Sequence, residues 1–398
     1  MQEILANIKG DRGIWGAFLL LAVISFLPMY SASTNLAYVI GVGSTTGYFF
    51  KHALILLLGF IILYIIHKIP YRYFSGGSVF LLPFVFLLLI YTLSKGTTIA
   101  GATAARWITI PFVGVSFQTS TFASLVLMIY VARYFSKQKN TTFDFKNSIL
   151  FLWLPVAVIL FPILPSNFST TALIFLSVVI VSILAGYPLK YLLRILGLAL
   201  LALVLFIFVG RAVSSSIKVK TDTWKNRIIN FNEPNPEADY QVEKAKMAIA
   251  TGGAFGRGGG KSVQKNFLPQ SSSDFIFAII VEEWGLAGGI SIILIYIWLL
   301  FRIWVVAKRS HTIFATLLTI GIGFPIIIQA IVNMAVATNL MPVTGQTLPL
   351  LSSGGTSIWM TCIAIGIILS VSAAKDEENT NEPIIEENPL DVLYEAVD

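Results

Sequence analysis

Ten windows of roughly twenty apolar residues, separated mostly by short polar joints, leave this chain one environment in which to fold. A bilayer's hydrocarbon core is about 30 Å thick and takes about 20 helical residues. Windows of that length lie near 13–33, 48–67, 77–94, 117–135, 147–164, 168–186, 189–210, 274–303, 312–337 and 353–373. In lipid every backbone N–H and C=O needs an internal partner, so these windows are read as helices. The fold class is an all-α polytopic membrane protein with ten transmembrane helices. A mean hydropathy of +0.81, with 56% apolar and 12% charged residues, excludes an ordinary water-soluble globule. The first window follows a basic start, as a secretory signal would. It is long and lacks a small-x-small cleavage site, and is read as a retained span.

Lysine and arginine set the orientation. Fourteen of them, from Lys9 and Arg12 through Arg302, Lys308, Arg309 and Lys375, fall in one set of tails and short loops; Lys51, Lys95 and Arg106 alone fall in the opposite set. Both termini are therefore expected in the cytoplasm. That topology puts residues 211–273, between helices seven and eight, outside as one large extracytoplasmic loop. A loop of this length without its own core is more often functional than idle. Within it, 237–250 has helical spacing, with Tyr240, Lys244, Met247 and Ala248 on one side, and is expected to be an amphipathic helix at the outer membrane surface. The division is a membrane domain over 1–374 and an acidic cytoplasmic tail over 375–398, expected to be disordered. The tail holds nine acids against one lysine, leaving 26 basic and 11 acidic residues, a net of +15, on the rest. Such an excess suits anionic headgroups or a phosphorylated substrate, and no aromatic-basic pattern for nucleic acid accompanies it.

Only three acids lie inside the ten windows, and all fall in Ser271-Ser-Ser-Asp-Phe-Ile-Phe-Ala-Ile-Ile-Val-Glu-Glu-Trp284. Acids at such positions are functional candidates by default. Ser271-x-x-Asp274 fits a capping box, which would only satisfy the free N–H groups of the eighth helix. Equally, a helix N-terminus keeps a nearby carboxylate ionised and able to accept a proton. Glu282 and Glu283 lie roughly 12–13 Å deeper. One of them is expected to fix packing against a neighbouring helix, with a proton relay as the sharper alternative.

Gly252-Gly-Ala-Phe-Gly-Arg-Gly-Gly-Gly-Lys-Ser262 lacks the Walker spacing, because Phe255 stands where the first glycine belongs. The turn, with Arg257 and Lys261, is either a phosphate cradle or a hinge. Arg106-Trp107, in a short outer loop with no acid nearby in sequence, is placed either to grip a diphosphate or to snorkel to headgroups. The uncharged segment 339–357, with Ser352, Ser353, Gly354 and Thr356, is read as re-entrant or as ordinary turn chemistry. Cys362 is the one cysteine, so no intrachain disulfide forms, and His52, His67 and His311 are too scattered to make a metal site.

Taken together, Leu268-Pro-Gln-Ser-Ser-Ser-Asp-Phe-Ile-Phe-Ala-Ile-Ile-Val-Glu-Glu-Trp-Gly285, Tyr240-Gln241 with Ala248-Ile-Ala-Thr-Gly-Gly-Ala-Phe-Gly256, Arg106-Trp107 and Thr344-Gly-Gln-Thr-Leu-Pro-Leu-Leu-Ser-Ser-Gly-Gly355 resemble the SEDS family, the FtsW and RodA proteins. The wording of the last motif is more similar to the FtsW branch. The resemblance implies a peptidoglycan glycosyltransferase. It would polymerise lipid II outside the cytoplasmic membrane, working with a class B penicillin-binding protein and other divisome or elongasome membrane proteins. It implies Asp274 as the essential acid and general base, in an inverting reaction. Arg106, with Lys261 and Arg257, would hold the diphosphate, while Trp107, Gln241 and the turn Ser352, Ser353, Gly354 and Thr356 line the cavity. The metal requirement is unknown; a divalent cation, Mg or Mn, is compatible with the diphosphate. The chain departs from the family at Gln118-Thr-Ser-Thr121, Leu164-Pro-Ser-Asn-Phe-Ser-Thr170, Gln270, Ser272 and Ser353, where accessory acids and other usual residues are replaced while Asp274 remains. The rival readings are a transporter of lipid-linked precursors and a non-catalytic division scaffold.

Overall fold

The computed structural model describes residues 9–38, 45–96, 106–109, 116–138, 143–213, 224, 240–268, 271–353 and 355–381. Among them the chain forms α1 (Arg12–Tyr38), α2 (Thr45–Ile66), α3 (Arg72–Lys95), the strands β1 (Trp107–Thr109) and β2 (Ser116–Gln118), and α4 (Thr119–Lys137). It continues with α5 (Phe145–Ile163, with a π-helical turn at Ile149–Trp153), α6 (Phe168–Leu184), α7 (Leu189–Val213) and α8 (Tyr240–Gly252). The last three helices are α9 (Ile276–Lys308), α10 (Ile313–Ala337) and α11 (Gly355–Asn381). Every predicted window coincides with a helix, and α8 is the additional one, lying in the large loop.

Eight of these helices are long and apolar enough to cross a membrane. The expected count of ten spans is reached only with α6, which is apolar but 17 residues long, and α4, which opens Thr-Ser-Thr and carries Arg133. Both pack on α10 inside the bundle. A helix enclosed by other helices tolerates hydroxyls and a cation that lipid would not. The spans of α10 and α11 are each 67% buried, against 11% for α7, so α10 and α11 stand at the centre and α7 at the lipid-facing edge.

The final helix runs to Asn381, into the segment expected to be disordered. Ala373-Ala-Lys-Asp-Glu-Glu378 is rich in helix formers, so propagation past the apolar stretch is cheap. Residues 382–398 lie outside the described ones.

Two sets of contacts mark the two ends of the bundle. At one, Arg302 of α9 pairs through two N–H groups with Asp11, just before α1, and Tyr71 meets Thr312. At the other lie the starts of α4, α6, α9 and α11 and the ends of α3, α5 and α10. There the β1–β2 ribbon, in register Trp107↔Gln118, Ile108↔Phe117 and Thr109↔Ser116, is fastened to α11. Thr356, fully buried, donates to Ser116 O at 3.1 Å and accepts from Gln118 N at 3.3 Å.

The segment that follows α8 enters α9 itself. The 33-residue helix breaks at Gly285, where φ is +69° and ψ −171°. A break orphans the carbonyls before it and the N–H groups after it. Residues 253–258 supply both sets. Arg257 N and Gly258 N donate to Glu282 O and Glu283 O at 3.0 and 2.9 Å, while Leu286 N and Ala287 N donate to Gly253 O and Ala254 O at 2.8 and 3.1 Å. The 286–308 portion, roughly 35 Å long, suffices alone for the bilayer. Ile276–Trp284 is left as a short separate segment that carries the two glutamates near its end.

Those glutamates are 0% and 1% exposed and hold the loop and α1. Glu282 accepts from Ser262 Oγ, from Val263 N at 3.0 Å and from Gln264 N at 3.3 Å, and faces Arg257 Nη1 at 3.5 Å. Glu283 accepts from Ser31 Oγ of α1 and from Ser262 N at 3.3 Å. Lys265 Nζ completes the cluster through Ser31 Oγ at 3.1 Å and Gly260 O at 2.8 Å. Burial pushes the Lys265 ammonium down from the usual lysine range, and the Glu283 and Glu282 carboxylates push it back up. The glycine-rich segment is thus part of a packed joint, and its glycines allow backbone to pass within contact of backbone. Glu282→Ala would strip partners from Ser262, Val263, Gln264 and Arg257, at a cost of about 3–5 kcal/mol. The check is amide exchange of Val263 and Gln264, expected to rise steeply in the variant.

Helix α8 packs on α9 through Val242, Ala245, Ala248 and Gly252. The side expected to face the membrane divides: Ala248 is buried against α9, while Tyr240 and Met247 are exposed and Lys244 lies over the Tyr240 and Phe267 rings. Ala245, Ala248 and Gly252 let α8 approach the α9 backbone closely.

Candidate active site at the Asp274 turn

Asp274 sits in a turn over residues 271–275, half-buried, at the end of the bundle that carries the ribbon. The capping-box reading does not hold. Helix α9 starts at Ile276 with Phe275 at the N-cap position, and no side chain caps it. The Ser271-x-x-Asp274 spacing is present, but the intervening residues form a turn and not the first helical turn that a capping box requires.

The loop between α10 and α11 holds this turn from below. Ser352, 2% exposed, donates to Ser273 O at 2.6 Å and accepts from Leu348 N at 2.7 Å. Ser353 N donates to Ser272 O at 2.8 Å. Asn333, 1% exposed, donates to both Asp274 O at 2.8 Å and Gln346 O at 2.7 Å. The same loop contributes Gly345, whose φ of +70° favours glycine. A Cβ at residue 345 would meet Asp274 Oδ2 at 3.5 Å and Arg106 Nη1 at 3.9 Å. The carboxylate and the guanidinium therefore both lie within 4 Å of one point.

Arg106 enters from the ribbon. Its Nε donates to Ser166 O at 2.7 Å, in the turn between α5 and α6, which fixes the plane of the guanidinium. The sequence showed no acid near Arg106, yet folding brings Asp274 to it across 168 positions. A narrow cleft opens beside it, with Leu89, Leu93 and Ile163 as apolar walls and Thr92, Ser120 and Asn167 as polar ones.

The remaining sequence candidates divide. Trp107 opens β1, opposite Gln118. Gln241 is half-buried in the first turn of α8. Arg257 is at Glu282 and Lys261 is exposed in the glycine segment; neither is among the atoms that flank Gly345. Ser352 and Thr356 direct their hydroxyls into the protein frame, and Gly354 lies outside the described residues. Sequence reasoning missed Asn333. A carboxamide on the otherwise apolar stretch Ile331-Val-Asn-Met-Ala335 was the available signal. Among the described residues no three His, Cys, Asp or Glu side chains converge. Asp274 Oδ2 is the carboxylate oxygen that lies with Arg106 Nη1 beside Gly345.

A helical bundle with many apolar spans and one polar end built around an acid and a cation defines a multi-pass membrane protein with a single-ended site. The chain matches the family model of the FtsW, RodA and SpoVE cell cycle proteins over residues 11–377, and it belongs to that family. It is 31% identical over 359 residues to "Probable peptidoglycan glycosyltransferase FtsW" of Geobacter sp. (strain M18), covering 89% of this chain and 94% of that one. It is 31% identical over 362 residues to stage V sporulation protein E of Bacillus subtilis (strain 168), with the same two coverages. Its fold is that of a chain in a solved peptidoglycan synthase complex that coordinates polymerization and crosslinking. The TM-score is 0.72 at 23% identity, over 92% of this chain and 98% of that one.

Proposed function

We propose that this chain is a peptidoglycan glycosyltransferase of the FtsW branch that polymerises lipid II on the outer face of the cytoplasmic membrane during cell division, with both termini in the cytoplasm. The observation that carries the reading is the placement of Asp274 Oδ2 and Arg106 Nη1 within 4 Å of one point beside Gly345. Growing a glycan strand requires a sugar 4-hydroxyl to attack the anomeric carbon of a second unit while its lipid diphosphate departs. Asp274 takes the hydroxyl proton, the new C–O bond forms as the C–O bond to the diphosphate breaks, and the anomeric centre inverts. Arg106 offers N–H groups to the charge that develops on the leaving diphosphate. Because a diphosphate leaves as an anion, no second acid is required. A divalent cation, where one takes part, would share that charge.

The transporter reading draws on the broken helix, a common feature of transporter binding sites. Here the loop's own backbone fills both broken ends, and buried glutamates lock it there. The acid and cation at the end of the bundle favour transfer chemistry. The named relatives support the same activity, and the synthase-complex fold supports a class B penicillin-binding protein as partner. The test supplies lipid II to the protein purified with its transpeptidase. Glycan strands are expected, and lipid II flipped across vesicles without strands would favour transport.

Arg106→Lys separates grip from mere charge. Lysine keeps the charge but loses the Nε bond to Ser166 and the planar fork. Its kcat/KM for lipid II is expected to fall about 10–100-fold, and an unchanged value would remove Arg106 from the diphosphate.

A further inference from the structure

Asn333 lies one turn from the end of α10 and uses both of its N–H groups on backbone, one on each side of the site. One goes to the carbonyl of Asp274 itself at 2.8 Å, the other to the carbonyl of Gln346 at 2.7 Å, next to Gly345. The connection continues outward. Gln346 Nε2 donates to Thr170 Oγ1 at 3.0 Å, Thr170 N donates to Asn167 Oδ1 at 3.2 Å, and the adjoining Ser166 O receives Arg106 Nε at 2.7 Å. A chain of bonded groups thus runs from the cation to the acid through one carboxamide. Among the described residues the Asn333 Oδ1 accepts no hydrogen bond, so the bonds this carboxamide makes there are the two that it donates.

We infer that Asn333 is a positioning residue that fixes the Asp274 turn in register with Arg106 for proton abstraction, an inference that rests on the reading of Asp274 as the base. Asn333 does not contact substrate; it acts through residue 274. Displacing a reacting group by about 1 Å costs about 100-fold in rate, while the surfaces that bind lipid II are untouched. The expected signature is a fall in kcat with KM preserved.

The experiment uses the full chain with its transpeptidase partner, lipid II as substrate, and the variants Asn333→Leu, Asn333→Ala, Asn333→Ser and Asp274→Asn. Leucine keeps the volume and removes the donors, alanine removes both, and serine is the mildest change and retains one donor. The two donorless variants are expected to lose about 100-fold in kcat, with KM within about threefold of wild type, and serine to fall between. Wild-type kcat in Asn333→Leu would overturn the inference, as would a raised KM at unchanged kcat. Misfolding of all three variants would also overturn it, because the residue would then hold the bundle and not the base. Retained activity in Asp274→Asn fails the underlying reading separately, whatever the Asn333 variants do.

Discussion

Gly285→Ala is expected to lower stability by more than about 4 kcal/mol and to leave little functional protein. Two costs act together. At φ +69° and ψ −171° the residue occupies backbone space that belongs essentially to glycine, worth about 1–3 kcal/mol for any other residue. The added methyl would also stand 2.4 Å from Ala254 O and from Gly256 N, which are backbone atoms with no rotamer to escape into. Withdrawing the loop by about 1 Å relieves the clash but breaks the four hydrogen bonds that cap the helix break, each worth about 0.5–1.5 kcal/mol. Gly253→Ala is the internal control. It also has positive φ, at +56°, but a Cβ there meets nothing within 4 Å, so its cost stays near 1–2 kcal/mol. Thermal unfolding in detergent compares the two directly. Equal losses would show that the interlock contributes nothing beyond glycine's backbone freedom.

Each hydrophobic window coincides with a helix among the described residues, because a helix of a membrane bundle has no way to hide an apolar composition. The ribbon escaped because each strand is three residues long, below any periodicity window, although Trp107-Ile-Thr109 and Ser116-Phe117 contain β-favouring residues. The break in α9 escaped for another reason. Val281-Glu-Glu-Trp-Gly-Leu-Ala-Gly-Gly289 reads as one apolar run with two acids, and what completes it is a glycine segment some thirty positions earlier. Complementary halves of a joint cannot be matched by local pattern. Two close glycines, Gly252 and Gly256, whose Cβ atoms would lie 2.1 and 2.2 Å from Val281 O and Glu283 O, were visible only as flexibility.

At the site, Asp274 was legible because an acid at the head of an apolar window is conspicuous, and Arg106 because cations are scarce in the short loops at that end. Their pairing was not legible, nor was the support. Ser352 and Thr356 looked like cavity lining, since a hydroxyl in an uncharged loop serves lining or framing equally well in sequence. The structure shows them bonded to Ser273 O and to the ribbon. Asn333 is inconspicuous in sequence because it is neutral and sits in an apolar run, yet its carboxamide donates to Asp274 O and Gln346 O.

The second large effect is at Asp274. Replacing it by Asn keeps size and the backbone contacts to Asn333, so the turn and its neighbours stay in place while the proton acceptor is lost. General-base catalysis contributes about 10²–10⁴-fold, and strand synthesis is expected to fall by that factor with little change in lipid II binding. Asp274→Glu, longer by one methylene beside Gly345, is expected to recover only part of the activity, because the carboxylate moves off its position opposite Arg106. The decisive measurement is the rate at which the purified complex converts lipid II into glycan strands, wild type against Asp274→Asn at equal folded protein. A drop of at least 100-fold is the predicted result, and strands made by Asp274→Asn at the wild-type rate would contradict the assignment of this aspartate as the base.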